Sequence, residues 1–403
     1  MPRKKHAPKY AQTKQKKLPA PWLIAAGAVV LVGIIVLLVV LNLPPVAQGP
    51  AGDNLLFSCG VAPVCQDGLW GFVTADGQML AEPIYEAVGP YSADGLAPVR
   101  KNGLWGYIDA TGKLVVDCVY EDTAGFSHGY AAVQSASRWG FINKEGLNCI
   151  PAVYEYAGSF SANGLALVRS QGKFGFVNTA GELKVAAMYD SASAFDQAGL
   201  ALVRLGEQYG YINSNAAYVI DPQYGAMGAF AGSSLAPAKT DAGWCYVDTA
   251  GSIVIPSEFE YAYNFTQDGL ARIYTAGRYG FIDQKGEFAV QPQYQQAGDF
   301  SEGYAVVVTG GKSGLVDTKG AYAIEPGEYS LPYGVSQGLL AFSNQTGLFG
   351  YMDTAGKVVI QPQFTAARAF RDDGYAAVQS NGLWGVIDRE GKFILSPRFE
   401  AIG

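Results

Sequence analysis

The sequence predicts an all-β array of ten repeated β-meanders, each of about 35 residues, over residues 53–403. One transmembrane α-helix over residues 21–43 is predicted to precede this array. Three observations support the prediction. A Trp-Gly motif recurs at a nearly constant spacing, turn-forming sequences flank most copies, and a long uncharged apolar segment lies ahead of the first copy.

The membrane segment runs from Trp22 to Leu43 without a charged residue. As a helix it would span roughly 33 Å, enough to cross a hydrocarbon layer of about 30 Å. A cleaved signal peptide is the competing interpretation, but its apolar region is normally only about 7–15 residues long. Residues 1–20 form a basic tail, which the positive-inside rule places in the cytoplasm. We therefore expect a single-pass membrane protein, with residues 44–52 as a linker and the repeats outside the cytoplasm.

Charge is distributed unevenly between the tail and the repeats. Seven of the 28 Lys and Arg residues precede residue 18, and the first acidic residue is Asp53. The rest of the chain carries 21 basic against 35 acidic residues, a formal balance of −14. An acidic body argues against nucleic acid as a partner.

The period of the repeat is visible at the glycine of the Trp-Gly motif, which recurs every 34–36 residues. An aromatic residue precedes this position in nine of the ten units. Unit eight, which has Ser313 there, is the most degenerate. The ten marker positions are Gly71, Gly106, Gly140, Gly175, Gly210, Cys245, Gly280, Gly314, Gly350 and Gly385.

Each unit contains two predicted turns. Asn102-Gly103, between two apolar segments, favours a tight hairpin. The spacing Asp109-x-x-Gly112 favours a second turn, because Asp accepts a bond from its own backbone two residues on and Gly adopts a positive φ.

The third strand of a unit is clearest at residues 357–364. Its Pro362 cannot donate to a β-ladder, so this strand is predicted at an edge or with a bulge. The segment Tyr154–Phe160 then leads to the next unit and is a candidate for a short fourth strand.

Side-chain alternation in the Trp-Gly strand predicts apolar groups on both faces. Trp105 and Tyr107 point to one face, and Gly106 and Ile108 point to the other. A sheet covered on both sides is expected, with the recurring aromatic rings as the main cohesive element. The glycine is predicted to lie where a side chain of a neighbouring unit contacts bare backbone.

The pattern G-L-A-x-V-x-x-x-G-x-W-G-[YF]-[IV]-[DN]-x-x-G-K-x-[VI]-I-x-P-x-[YF] resembles the WG (KWG) repeat family of bacterial proteins. The resemblance covers essentially the whole chain beyond residue 53. It implies a bacterial all-β repeat protein, often extracytoplasmic. It supplies no general activity and no shared catalytic residues.

Two architectures fit the repeat, and the sequence leaves both open. A propeller-like ring is slightly favoured, because the ending Phe399–Gly403 resembles Tyr85–Gly89 and stops where the first unit resumes. An open β-solenoid made of a whole number of units would show the same pattern.

Residues with catalytic or metal-binding chemistry are few. His128 is the single histidine after the membrane segment, and it occupies a polar turn position that holds Asn163, Asp268, Glu302 and Asp373 in other units. A Ser-His-Asp or Cys-His enzyme and a histidine-rich zinc site therefore have little support.

The remaining motifs favour structural roles. The Asp-x-x-Gly turns lack the ligand spacing of a calcium loop, and Gly310-Gly-Lys-Ser313 lacks the full phosphate-loop spacing. Two disulfides, Cys59–Cys65 and Cys118–Cys149, would be compatible with an oxidising compartment and would leave Cys245 free. Free buried thiols are the alternative for all five cysteines.

These observations predict a membrane-tethered, extracytoplasmic binding or scaffold module for protein, peptide or cell-wall glycan. No catalytic, cofactor-binding or metal-binding residue is assigned, and no cofactor is expected. A carboxylate-based wall hydrolase and a purely structural spacer are the alternatives. Exposed aromatic residues on loops would favour a sugar ligand, and function is expected where the units differ.

Overall fold

The computed structural model describes residues 55–403. The predicted basic tail (1–20), transmembrane helix (21–43) and linker (44–52) lie outside this range. Within the described range, we find no helix of the length and apolarity needed to cross a membrane.

The described chain forms ten antiparallel sheets, which we call blades 1–10. A typical blade has a short edge strand followed by three longer strands, as in blade 2 with β4 (Ala87–Val88), β5 (Leu96–Lys101), β6 (Leu104–Asp109) and β7 (Leu114–Tyr120). Blade 1 contains β1 (Val61–Gln66), β2 (Leu69–Thr74), β3 (Met79–Tyr85) and, from the far end of the chain, β39 (Ala401–Ile402).

Blades 3–6 repeat the plan of blade 2. Blade 3 has β8 (Asp122–Thr123), β9 (Tyr130–Ser135), β10 (Arg138–Asn143) and β11 (Asn148–Tyr154), and blade 4 has β12 (Tyr156–Phe160), β13 (Leu165–Ser170), β14 (Lys173–Asn178) and β15 (Leu183–Tyr189). Blade 5 has β16 (Ser191–Ala192), β17 (Leu200–Leu205), β18 (Gln208–Asn213) and β19 (Tyr218–Tyr224), and blade 6 has β20 (Ala226–Met227), β21 (Leu235–Thr240), β22 (Gly243–Asp248) and β23 (Ile253–Phe259).

Blades 7–10 follow the same plan with one exception in blade 9, which has three strands. Blade 7 has β24 (Tyr261–Phe265), β25 (Ala271–Thr275), β26 (Arg278–Ile282) and β27 (Phe288–Tyr294), and blade 8 has β28 (Gln296–Ala297), β29 (Tyr304–Thr309), β30 (Lys312–Asp317) and β31 (Tyr322–Gly327). Blade 9 has β32 (Leu339–Ser343), β33 (Phe349–Asp353) and β34 (Val358–Phe364), and blade 10 has β35 (Ala366–Ala367), β36 (Ala376–Ser380), β37 (Leu383–Ile387) and β38 (Phe393–Phe399).

The blades close into a ring. Strand β39 pairs with β1, bringing Val64 opposite Ile402 and Cys65 opposite Ala401. Ten apolar cores each join two successive blades, and one of them joins Phe399 and Ile402 to Ala62 of blade 1. The propeller prediction is therefore confirmed, and the open solenoid is excluded for residues 55–403.

Both faces of each sheet are covered, as the alternation of side chains predicts. In blade 2, Ile108 packs in the core shared with blade 1, and Tyr107 packs in the core shared with blade 3. Both side chains are completely buried. Each blade is thus a layer between two others.

The most buried aromatic residue of the repeat is not the tryptophan. Trp105 is only partly buried, whereas Tyr107, two residues later, has no exposed surface. Phe72 and Phe141 are equally buried at the equivalent position. As predicted, the recurring rings lie in the cores between blades, and in these three units the second ring of the motif is the more deeply buried of the two.

Both predicted turns form. Asn102 and Gly103 have φ values of 53° and 78°, as the tight hairpin requires. In the second turn, Asp109 Oδ1 accepts a hydrogen bond from Thr111 N at 2.9 Å, and Gly112 has a φ of 81°.

The third long strand lies at the blade edge and is bulged, so both alternatives drawn from Pro362 hold. In blade 2, Trp105 pairs with Tyr120 and Tyr107 pairs with Val116, so β7 carries two extra residues between these pairs. In blade 9 the corresponding bulge contains Pro362.

The predicted role of the motif glycine is wrong. A Cβ built on Gly106 would lie 2.4 Å from Val116 O and 2.7 Å from Cys118 N, which belong to the same blade. The glycine is therefore required by the bulge of its own third strand and not by a side chain of a neighbouring unit.

The predicted fourth strand is also present. Tyr156–Phe160 forms β12, which pairs with β13 and so belongs to the sheet of the following unit. Blade 9 departs from this plan, because its short strand, the counterpart of β12, is reduced to a single bridge between Ser330 and Ser343. Residues 328–338 run mostly as a loop at this place.

Candidate functional site

Carboxylates at the links between units have a repeated structural role that the sequence analysis missed. Glu121, between β7 and β8, accepts a hydrogen bond from Ser137 N in the hairpin of the next blade at 2.8 Å. Glu155 accepts one from Gly172 N, and Asp190 one from Gly206 N. This role could have been predicted from the sequence, because an acidic residue directly follows the last aromatic residue of most units.

His128 lies in the predicted turn. Its φ of 53° matches the 54° of Glu302, which is equivalent in blade 8. The His128 Nδ1 atom lies 2.9 Å from Ser127 Oγ and 3.2 Å from Phe160 O. The structure thus assigns the histidine to a contact with the next blade.

The other sequence motifs also form turns. Gly310 and Gly311 have φ values of 58° and 76° and connect β29 to β30 as a hairpin, and Lys312 pairs with Glu328. Across residues 55–403 no group of three or more His, Cys, Asp or Glu side chains has an arrangement that could hold a metal ion.

Neither candidate disulfide is formed in the described part of the chain. The Cys59 Sγ atom lies 3.4 Å from Ser92 O, and the Cys65 Sγ atom lies 3.7 Å from Glu400 Oε2. Cys118 Sγ contacts Val99 O at 3.8 Å, and Cys149 is exposed. Burial raises the pKa of the Cys245 thiol, which is wholly enclosed at the marker position.

Loops of successive blades contact one another. We call the segment that leads into the first long strand of a blade, including the two residues equivalent to Phe126-Ser127 of blade 3, its FS loop. Ser127 Oγ donates to Phe160 O of blade 4 at 2.8 Å, and Ser336 Oγ donates to Phe370 O of blade 10 at 2.6 Å. The FS loops are therefore joined from one blade to the next.

The FS loops of blades 8, 9 and 10 line a shallow depression of about 570 Å³. It is bordered by residues 299–302, 333–336 and 368–372. A second depression of about 410 Å³ lies between blades 8 and 9, and it shares Asp299, Tyr333 and Gly334 with the first. The two depressions adjoin at the loop that stands in blade 9 in place of a short strand.

Two arginines in this depression stand where the other blades have different residues. The residues equivalent to Arg371 are mostly serines, and none is a cation: Ser58, Ser92, Ser127, Ser161, Asp196, Ala231, Thr266, Ser301 and Ser336. The residues equivalent to Arg368 are mostly small: Gly89, Ala124, Gly158, Ser193, Gly228, Tyr263, Gly298, Tyr333 and Gly403. Blade 10 thus brings two positive charges to a place that is small or uncharged in most of the ring.

Neither arginine has a carboxylate partner within residues 55–403. Arg368 Nη1 donates to Ile402 O at 2.9 Å, and its guanidinium lies 5.0 Å from the Trp384 ring centre. Arg371 Nη1 donates to Leu55 O at 3.1 Å. Burial and the nearby Arg371 lower the pKa of the Arg368 guanidinium, while Tyr333 acts in the opposite direction.

Two acidic residues of the depression already have partners. Asp299 Oδ1 lies 3.2 Å from Arg272 Nε. The two carboxylate oxygens of Glu302 accept hydrogen bonds from Gln337 N and Gly338 N, each at 2.8 Å. The exposed Asp372 is the remaining acidic group at the border. Neither arginine therefore forms an ion pair with a carboxylate that lines the depression.

Tyr333 places an aromatic ring on the loop of blade 9, with 41% of its surface exposed. Most other exposed aromatic residues in the described range lie in strands. Tyr218, Phe288, Tyr322 and Phe393 begin the third long strand of their blades, and Tyr156 and Tyr261 lie in short strands. Tyr333 is therefore the exposed aromatic side chain that borders the depression.

The family model described as "WG containing repeat" matches the chain nine times and covers well over half of it. The chain belongs to this family. The unmatched residues between 313 and 348 include most of unit eight, the unit predicted to be the most degenerate. The matched segments are 70–105, 105–136, 139–174, 174–209, 209–244, 244–278, 279–312, 349–384 and 384–403.

The chain is similar in fold to one solved structure, and a second one aligns less well. A crystal structure titled as that of "the eukaryotic initiation factor" has a TM-score of 0.51 at 11% identity, with 85% of this chain and 97% of that chain covered. BamB from Moraxella catarrhalis aligns at 10% identity and a TM-score of 0.33, with coverages of 72% and 92%. No curated protein sequence matches the chain. At 11% identity, the likeness to the first of these structures concerns the fold alone.

Proposed function

We propose that this WG-repeat propeller is a membrane-tethered, outward-facing binding module, and that its ligand site is the depression on blades 8–10. The supporting observation is the concentration of departures from the repeat at this place. Three consecutive FS loops border the depression, one blade has lost its fourth strand, and two arginines replace small or uncharged residues. In repeat architectures, insertions in individual repeats map to loops on one face, which is often the binding face.

A cell-wall glycan is the ligand that the lining favours over a protein or peptide. Peptide sites usually offer apolar pockets for anchoring side chains. Here Phe300, Val335 and Phe370 are buried in the cores between blades and are not available. The accessible groups are the Tyr333 side chain, the two guanidinium groups and the Asp372 carboxylate, and such polar groups around one aromatic ring suit a sugar with many hydroxyls.

The membrane tether rests on the uncharged segment from Trp22 to Leu43 and on the basic residues ahead of it. The orientation can be measured with the full-length protein in intact cells. Protease added from outside should digest the repeats after permeabilisation of any outer barrier, with the tail protected. A protected propeller would contradict an outward-facing module.

Binding can be tested by incubating the purified full-length protein, in detergent, with peptidoglycan sacculi. We expect retention on the sacculi without release of soluble fragments. Tyr333→Ala should weaken retention at least fivefold, whereas Tyr218→Ala should not. Tyr218 is a matched control because it is 39% exposed and lies in blade 5, away from the depression. Release of soluble fragments would instead support the hydrolase alternative, and absence of retention would contradict glycan binding.

A further inference from the structure

We propose that the depression on blades 8–10 recognises an acidic glycan, with Arg368 and Arg371 binding a carboxylate or phosphate group of the saccharide while its rings contact Tyr333. This inference rests on the proposed function and adds the chemical class of the ligand. It is carried by the cavity, by the two unpaired guanidinium groups that border it and by the accessible tyrosine beside them.

The arginines retain binding capacity after their contacts within the protein are made. A guanidinium group carries five N–H donors in a planar fork. The structure gives Arg368 one hydrogen bond, to Ile402 O, and gives Arg371 one, to Leu55 O. The remaining donors can hold an oxyanion in the two-point geometry that arginine forms with carboxylates and phosphates.

The placement of the two charges is costly without a counter-ion. Arg371 disfavours the charged form of Arg368, as does partial burial in the loop of blade 10. Most other blades place glycine, alanine or serine at the Arg368 position, so the fold does not require a cation there. An anionic ligand would relieve the repulsion between the two groups.

The position of Arg368 is set by the neighbouring blade. The buried Tyr351 of blade 9 donates its hydroxyl to Arg368 O at 2.7 Å. The same bond joins Tyr107 to Ala124 O in the regular part of the ring, at 2.6 Å. The repeat thus provides a rigid support on which blade 10 carries a charged side chain in place of a small one.

The shape of the site favours a polymer over a small enclosed ligand. The depression is shallow, crosses three consecutive blades and adjoins a second one between blades 8 and 9. Tyr333 borders both, so its ring can contact a saccharide that extends from one into the other. Asp299 pairs with Arg272 and Glu302 accepts two backbone hydrogen bonds, so neither forms an ion pair with Arg368 or Arg371.

The inference can be tested with the full-length protein and a set of polymers that share one backbone. Carboxymethyl-dextran and phosphorylated dextran present the two oxyanions on the same glucan, and unmodified dextran is the neutral control. Poly-L-glutamate presents carboxylates on a peptide backbone. We expect binding to one or both charged dextrans, weakening at high salt, and at least tenfold weaker binding to dextran and to poly-L-glutamate.

The variant Arg368→Gln/Arg371→Gln should lose at least tenfold in affinity for the charged dextrans. Arg278→Gln, which removes one exposed positive charge from blade 7, should lose less than twofold. Arg368→Lys and Arg371→Lys keep the charge but remove the planar fork, and we expect an intermediate loss. Thermal unfolding of each variant separates loss of binding from loss of the fold.

Three results would overturn the acidic-glycan assignment. These are equal binding to neutral dextran, equal binding to poly-L-glutamate, and charged-dextran binding that the arginine variants leave unchanged in folded protein. If the glutamine variant does not fold, unchanged affinity in the lysine variants would overturn the two-point contact. Retention on sacculi that depends on Tyr333 but not on the arginines would contradict this inference while leaving the proposed function intact.

Discussion

The interface that closes the ring, between blades 10 and 1, shares its plan with the interface between blades 2 and 3. Each has an apolar core, a short strand that joins the next sheet, and an acidic residue that accepts a bond from the next hairpin. At the closing interface that residue is Glu400, which binds Gly68 N at 2.9 Å. At the regular one it is Glu121.

The two interfaces differ in where the polypeptide is continuous. Between blades 2 and 3 the FS loop is unbroken, whereas at the closing interface Gly403 and Leu55 belong to opposite ends of the described chain. Blade 10 bridges this place with side chains. Asp373 Oδ2 accepts bonds from Leu56 N and Phe57 N at 2.8 Å, and Arg371 donates to Leu55 O. Charged side chains thus replace backbone continuity, and some of them also line the candidate site.

The largest effect is expected from deletion of residues 400–403. The deletion removes β39, the Glu400 bond and the Ile402 side chain, which is 1% exposed in the core between blades 10 and 1. We expect a loss of at least about 3 kcal/mol in the free energy of unfolding, measured by denaturant titration. Small-angle scattering should show a larger radius of gyration if the ring opens. Deletion of Gly403 alone is the control, with an expected loss of about 1 kcal/mol.

The next largest effect is expected from Gly106→Ala in the regular part and Gly385→Ala in blade 10. The added Cβ would lie 2.4 Å from Val116 O or 2.5 Å from Leu395 O. Because both clashes are within a blade, each should cost about 2–3 kcal/mol in chemical denaturation. Gly125→Ala, which has no atom within 4 Å of its Cβ, should change stability by less than about 0.5 kcal/mol. A much larger loss for Gly385→Ala would show that blade 10 is the less tolerant of the two.

A smaller effect is expected from Glu400→Gln and Glu121→Gln. Each removes the charge from a hydrogen bond to the next hairpin, with an expected loss of about 1 kcal/mol. Thermal unfolding of the two variants compares the closing interface with the regular one directly. Equal losses of stability would show that the hydrogen bond from the hairpin to the carboxylate stabilises both interfaces to the same extent. A loss confined to Glu400→Gln would show that backbone continuity makes the bond dispensable in the regular interface.

The smallest effect on stability is expected from Tyr351→Phe and Tyr107→Phe. Each leaves a backbone carbonyl of the next blade without its tyrosine donor, at a cost of about 1 kcal/mol or less. Only Tyr351→Phe should also weaken binding of charged dextran, because its partner is Arg368 O. Equal binding by both variants would contradict the supporting role of Tyr351.

Local chemistry in the sequence was sufficient for the turns and for the bulged edge strand. The conformations of Asn102, Asp109 and Gly112 depend on neighbours within a few residues, and Pro362 cannot donate a hydrogen bond wherever it lies. The role of Gly106 was not predictable in the same way. It depends on two extra residues in a strand that begins eight positions later, and no periodicity of the Trp-Gly strand reveals them.

To predict ring closure and to predict the candidate site from the sequence requires different information. Closure depends on contacts between residues more than 330 positions apart, such as Glu400 and Gly68, and a repeat pattern alone is compatible with a ring or a ladder. The arginines could have been found by aligning the ten units, since Arg368 and Arg371 are exceptions in their columns. In the sequence those loops stand out by a histidine and by turn residues. That the two arginines have no carboxylate partner becomes visible only in the structure, which locates the surrounding carboxylates.

The contacts between blades also have a direction. Most blades offer a linking acidic residue and a motif tyrosine or phenylalanine to the following blade, as blade 2 does with Glu121 and Tyr107. Such a head-to-tail contact is heterologous, and it forms a closed ring only because the rotation from blade to blade completes a turn after ten units. A molecule opened between blades 10 and 1 would therefore expose two complementary surfaces. At high concentration these surfaces can join separate molecules into domain-swapped dimers or filaments, and closure within one chain removes this route to assembly.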